Sequence, residues 1–236
     1  MSSALDESPA GRVAIVTGGS RGVGRATIRR LAACGCAVVV NYLHDQRAAE
    51  LTVRAILARN GNAVAVRADI ADDLDVNRLF AETIAAFGGV DVVVHAADAQ
   101  ITASALAEAE LAEFDALVRI NPRATFIVNR EAARHLRDGG AIINLSGSAG
   151  GSSLRAYGLY AATKAVTDVL TRALALELRA RDITVNAVSI EIGGPCAPDR
   201  VADVIAYLLS DWGHRITGQV LRVGDPEDWT TSARHQ

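Results

Sequence analysis

Tyr160 and Lys164 stand four residues apart in Tyr160-Ala161-Ala162-Thr163-Lys164, a stretch that reads as a helix. Residues at that interval share one helix face. A free tyrosine has a pKa of about 10, too high for ready proton exchange at neutral pH. A neighbouring ammonium favours the phenolate and lowers that value. The pair therefore has the makings of a proton donor working near neutrality. Lys164 is the only lysine in the chain; the other cationic side chains among the 24 Lys plus Arg are arginines. With four tyrosines in 236 residues, a lone lysine would follow one at this interval about 2% of the time by chance. Where arginine serves every other role, the exception marks a place for a compact ammonium that a broad guanidinium does not fill. Tyr157 has Ala161 at the matching position, so Tyr160 is the candidate.

A second constellation lies near the start. The first apolar run leads into Thr17-Gly18-Gly19-Ser20-Arg21-Gly22-Val23-Gly24, and a helical pattern follows. Glycines permit a tight turn and let the backbone approach a pyrophosphate held at a helix N-terminus. Placement after a strand and before a helix raises this above an ordinary glycine turn.

The elements that must position these residues alternate along the chain. Apolar runs of strand length occupy 12–17, 37–42, 63–68, 90–95, 141–145, 184–189 and 219–223. Helical segments such as 23–33, 47–59 and 74–87 separate them. Uniformly apolar strands between helices imply a parallel sheet covered on both faces. Right-handed crossovers make it doubly wound. The expectation is an α/β fold: one Rossmann-type domain over 12–236, with a seven-stranded parallel sheet.

The spacing Thr-Gly-x-x-x-Gly-x-Gly resembles that of the short-chain dehydrogenase/reductase family, and the likeness runs from Arg12 to about Val223. Asp69-Ile70, Asn121, Tyr160 to Lys164, Val185-Asn186-Ala187-Val188 and Ile216-Thr217-Gly218-Gln219 match in order. Bacterial 3-oxoacyl-acyl-carrier-protein reductases and polyketide ketoreductases are the branches it most resembles. The resemblance implies that Tyr160 passes a proton to a substrate carbonyl while a nicotinamide cofactor delivers hydride. Lys164 activates Tyr160 and holds the nicotinamide ribose, and Asn121, before the helix-disfavouring Pro122, supports a water relay to the lysine. A serine beyond the fifth strand orients the carbonyl. An ungapped alignment puts Gly147 there, which leaves Ser148 (with the loop one residue shorter), no serine at all, or Ser146, in that order. Gly18, Ser20, Arg21, Gly22, Val23, Asp69, Ile70 and Ala96 are the implied cofactor contacts, with Asn41, Tyr160 and Lys164.

An acid after the second strand would bond the ribose 2′-hydroxyl of NAD and repel a 2′-phosphate. That place is Asn41, followed by Tyr42, Leu43 and His44, with Arg21 able to reach the same corner. NADPH/NADP+ is the expected cofactor, with Asp45 expected to cap the following helix.

Two stretches depart from the family. His95-Ala96-Ala97-Asp98 replaces Asn-Asn-Ala-Gly after the fourth strand; His95 reads as structural, and Asp98 has no assigned part. Ile190-Glu191 replaces Pro-Gly after the sixth strand, Pro195 replaces a threonine, and the segment that closes over substrate is nearly absent. An open pocket suits a bulky or carrier-presented ketone, since lids exclude water and assemble the site. The alternatives are a lyase or isomerase on the same fold, or a cofactor-binding subunit without turnover.

Composition narrows the partners. Net charge is −3 with scattered arginines, which argues against nucleic acid. No apolar run approaches membrane length. Residues 1–11 read as a disordered lead-in, not a targeting peptide. Cys34, Cys36 and Cys196 lack metal-ligand spacing and read as buried thiols of a cytoplasmic protein. The family resemblance also implies a homodimer or homotetramer, paired through helices within 111–137 and 157–181.

Overall fold

Valine, isoleucine and alanine dominate the strands, as suits β-branched and small side chains covered on both faces. In the computed structural model these are β1 (Val13–Thr17), β2 (Ala37–Tyr42), β3 (Ala63–Arg67), β4 (Val90–His95), β5 (Leu136–Ser148), β6 (Thr184–Glu191) and β7 (Val220–Val223). They form one parallel sheet in the order 3-2-1-4-5-6-7. Residues 9–99, 103–149, 151–192 and 197–224 are described, apart from the side chains of 151–153. Most of the expected lead-in, Pro195 and Cys196 lie outside the described residues.

The helices are α1 (Gly22–Ala33), α2 (Gln46–Leu57), α3 (Asp73–Phe87), α4 (Leu111–Val118), α5 (Ala124–His135), α6 (Gly151–Glu177) and α7 (Pro198–Leu208). One core packs Ile28 and Leu31 of α1, Ile56 of α2 and Ile205 of α7 on the sheet. The other packs Leu79 and Phe80 of α3, Ile127 and Val128 of α5 and Ala175 of α6 on the opposite face. Phe80 is fully buried, so Phe80→Ala should cost about 3–5 kcal/mol. Asp45 and Asp72 cap α2 and α3, accepting from Ala48 N at 2.9 Å and Asp75 N at 3.0 Å.

Several boundaries differ from the sequence expectation, and β5 already starts at Leu136, before the expected 141. The expected long helix 111–137 breaks at a wider turn, Arg119–Arg123, because Pro122 has no N–H to donate. The later helix begins at Gly151 and kinks at Tyr157 (φ −126°, ψ 23°). At the sheet's upper rim, β5 and β6 run two to three residues past their expected ends. Gly147 pairs with Ile190 and Ser148 with Glu191, and Ile192 N donates to Ser148 O at 2.9 Å. Isoleucine and glutamate can continue the strand, whereas the proline expected at 190 would lack a backbone donor.

The Val185-Asn186 and Ile216-Gln219 matches meet as a clasp on β6. Asn186 Nδ2 donates to Ile216 O at 2.7 Å, Gln219 N donates to Asn186 Oδ1 at 3.1 Å, and Val185 N donates to Thr217 Oγ1 at 3.1 Å. Strand order reverses between β1 and β4, and ligands of such sheets bind beyond the strand ends at that crevice.

Candidate active site

The glycine turn after β1 fits a pyrophosphate on its own geometry. Gly18 and Gly22 have φ of 63° and 52°, where side chains are strained. A β-carbon on Gly18 would stand 2.8 Å from Ala97 Cα, and one on Gly24 would stand 2.4 Å from Gly18 O. Only glycines close this turn onto the β4 loop and α1. Among the described residues no side chain caps α1 and its first turn carries no acid, whereas Asp45 caps α2 and Asp72 caps α3, whose first turn also holds Asp73 and Asp75. Its amide donors therefore face outward with the positive end of the helix dipole. Ser20 and Val23 lie in this turn, and Arg21 sits at its edge with no side-chain bond to the helix.

At the expected ribose corner, Asn41 is buried and directed inward. Its side-chain Nδ2 donates to Ala68 O at 3.0 Å, and its backbone carbonyl accepts from Gly19 N at 3.0 Å. Asn41 thus ties β2 to β3 and to the glycine turn, while the residues after it form the corner. Arg67 also lies here, its Nε donating to Leu43 O at 3.2 Å. Sequence reading missed it, because only strand register sets Arg67 beside Tyr42. A cavity of about 440 Å³ opens alongside, lined by Leu43, Arg67, Asp69 and Arg78 among others. Asp69 Oδ1 accepts from Ala71 N at 2.9 Å and Oδ2 meets Arg119 at 2.5 Å, while Ile70 is buried.

The structure brings Tyr160 and Lys164 together below the ends of β4 and β5. Lys164 is 3% exposed; its Nζ donates to Leu145 O at 3.3 Å and lies 5.6 Å from the Tyr160 ring centroid. Asp98, without a part in the sequence reading, joins them. Tyr160 Oη donates to Asp98 Oδ2, and Lys164 Nζ is 3.1 Å from Asp98 Oδ1. Burial pushes the Tyr160 phenol above its ordinary range, and the charge and hydrogen bond of Asp98 push the same way. The direction is opposite to the expected lowering, which counted the ammonium but neither the burial nor the carboxylate.

Gly147 is the β5 residue that faces this pair. A β-carbon there would be 2.9 Å from Tyr160 Cε1 and 3.5 Å from Lys164 Cγ. The strand continues through Ser148, which is therefore its last residue and not part of the loop that follows. Strand alternation directs Ser146 and Ser148 to the opposite face. Ser146 Oγ is buried with no hydrogen-bond partner among the described residues.

Asn121 reaches α6 from the wider turn. Its Nδ2 donates to Thr163 Oγ1 at 3.0 Å, Thr163 Oγ1 donates to Tyr160 O at 2.8 Å, and Asn121 Oδ1 is buried with no hydrogen-bond partner among the described residues. Thr17 Oγ1 accepts from Ala96 N and Ala97 N at 3.0 and 3.1 Å, leaving its hydrogen for His95 Nδ1 at 3.0 Å. The His95 proton then belongs on Nε2. Burial, aided by the Lys164 charge, lowers the His95 pKa to about 3, so it braces β1 against β4 as a neutral ring. The Cys36 thiol is pushed up to about 12 by burial, an unreactive setting.

A glycine turn at the switch point and a Tyr–Lys pair at the strand ends define a dinucleotide-dependent oxidoreductase of the α/β class. Residues 12–193 match the family described as short chain dehydrogenase. Versicolorin reductase 1 of Aspergillus parasiticus is 39% identical over 180 residues, covering 76% of this chain and 68% of that protein. A short chain dehydrogenase from Burkholderia cenocepacia J2315, solved in complex with NADP, superposes with a TM-score of 0.80 at 33% identity, covering 91% of this chain and 97% of that one. The promiscuous reductase LugOII, which catalyses keto-reduction at C1 during lugdunomycin biosynthesis, gives 0.82 at 32% identity, covering 92% and 97%. The chain belongs to the short-chain dehydrogenase/reductase family and is an NAD(P)-dependent oxidoreductase. Among the described residues no helix is long and apolar enough to cross a membrane.

Proposed function

We propose that the protein reduces a ketone to a secondary alcohol with NADPH, acting on a bulky or carrier-presented biosynthetic intermediate. The observation that carries this reading is the chain's single lysine, buried beside Tyr160 at the ends of β4 and β5. Kinship to reductases named for versicolorin and lugdunomycin chemistry supports the substrate class.

Gly18, Ser20, Arg21, Gly22 and Val23 would hold the pyrophosphate side. Asp69, Ile70 and Ala96 would flank the adenosine, and Lys164 would take the nicotinamide ribose. When bound, the nicotinamide supplies the hydride. Tyr160 Oη donates its proton to the carbonyl oxygen, and the Lys164 ammonium stabilises the phenolate left behind. Asn121 fixes the Tyr160 turn through Thr163, and its free Oδ1 can anchor a water in the proton supply to Lys164. Ser148 is not asked to orient the carbonyl in this reading, since Gly147 faces the reacting groups.

Loss of NADPH absorbance with a panel of polycyclic ketones and β-keto thioesters tests it. Turnover on at least one, abolished by Tyr160→Phe, is the expected result. Tight NADPH binding with no turnover on any would favour a second reading, a dinucleotide-binding subunit without catalysis. Asp98 on Tyr160, and glycine at 147, are the observations behind that rival.

A further inference from the structure

Asp98 makes two bonds that a ligand needs. Its Oδ2 accepts from Tyr160 Oη and its Oδ1 pairs with Lys164 Nζ at 3.1 Å. Both partners are nearly buried, whereas the Asp98 side chain is 38% exposed on the loop after β4. That loop rests on Gly18, against Ala97 Cα and Ala96 O, so it belongs to the cradle for the dinucleotide. Any oxygen brought to Tyr160 and Lys164 meets a carboxylate already on both donors.

We propose that Asp98 is a positioning residue that competes with the nicotinamide ribose, holding Tyr160 and Lys164 until the dinucleotide displaces it. The inference rests on the dinucleotide-binding part of the reading above, not on turnover. Water compensates a displaced carboxylate at an exposed position, so displacement is feasible but costs affinity. Removing the carboxylate leaves Lys164 and Tyr160 seeking an acceptor, which a ribose hydroxyl provides. The effect belongs to the nicotinamide half of the ligand. It should be shared by NADPH and NADH, because the 2′ corner beyond β2 is built from other residues.

The test measures dissociation constants by calorimetry for the unmodified full chain, Asp98→Asn and Asp98→Gly. Ligands are NADPH, NADH and adenosine 2′,5′-bisphosphate, which lacks the nicotinamide ribose. Both variants should bind both dinucleotides about tenfold more tightly, the scale of one charge-assisted bond discounted for exposure. The bisphosphate should change less than about twofold. Unchanged or weaker dinucleotide binding would overturn the proposal, the latter making Asp98 an acceptor for ribose hydroxyls. Equal tightening of the bisphosphate would also overturn it, as a general charge effect. If the tightening appears while no ketone is reduced, Asp98 keeps its part and only the reductase reading fails.

Discussion

Gly147 lies so close to Tyr160 that a β-carbon on it would stand 2.9 Å from Cε1 and 3.2 Å from Oη. No side chain fits there unless the tyrosine ring moves, and Tyr160 as a residue is only 7% exposed. Gly147→Ser, which restores the hydroxyl expected from the family, should therefore cost stability by about 1–3 kcal/mol, as overpacking does. Urea unfolding reads this directly. A Gly147→Ser protein as stable as the parent and faster on ketones would show that the position still accepts its serine.

His95 gives the fold an acid limit. It is neutral when folded, with a pKa of about 3, but takes a proton near its ordinary 6.5 once unfolded. The folded pKa is depressed, so the stabilisation is present above about pH 6.5 and drains away as pH falls toward 3. Stability near pH 5 should be about 2 kcal/mol below that near pH 7. Asp75, lowered by its bond from Asp69 N and by Arg78, adds its loss only below the ordinary carboxylate value of 3.8. His95→Asn should flatten the slope between pH 7 and pH 5 in denaturant titrations; an unchanged slope would place the acid sensitivity elsewhere.

All seven strands were legible because each is an apolar run between helical patterns, and only sheet pairing decides where such runs stop. Gly147, Ser148 and Glu191 read as loop residues, yet they finish the two strands over the site. Asp98 was visible as a departure but not as a partner of Tyr160. They are 62 positions apart, and their meeting depends on how the β4 loop sits on the glycine turn. Asn41 and Arg67 exchange prominence for a similar reason: register with β3 turns the asparagine inward and brings the arginine to the corner.

Cofactor choice should follow that corner. Arg21 can pair a 2′-phosphate, and no acid ends β2, so NADPH should bind at least about tenfold more tightly than NADH. Arg21→Ala should narrow the gap by weakening NADPH alone, and Arg67→Ala should do so to a lesser degree. Equal affinities for the unmodified protein would defeat this assignment.

Self-association should use the helices beside the site. Leu111, Phe114, Phe126, Val166, Val169 and Leu176 are exposed on α4, α5 and α6, an apolar surface suited to an isologous mate. We expect a dimer or tetramer by light scattering at micromolar concentration, with Val169→Asp shifting it toward smaller species. A monomeric parent would refute the expectation.

Lys164 carries the sharpest prediction. Its ammonium occupies a site 3% exposed, bounded by Leu145 O, Asp98 and the Tyr160 ring. A guanidinium keeps the charge but is planar and broader, so it cannot take the same place between strand and ring. Lys164→Arg should lose more than about a hundredfold in turnover, within the range by which positioned proton transfer accelerates reactions. Tyr160→Phe should lose a comparable amount while still binding NADPH. Tyr157→Phe should lose far less, because Tyr157 sits at the helix kink, where no ammonium follows one turn later. Near-normal reduction of any accepted ketone by Lys164→Arg would mean that the position needs a positive charge and nothing more.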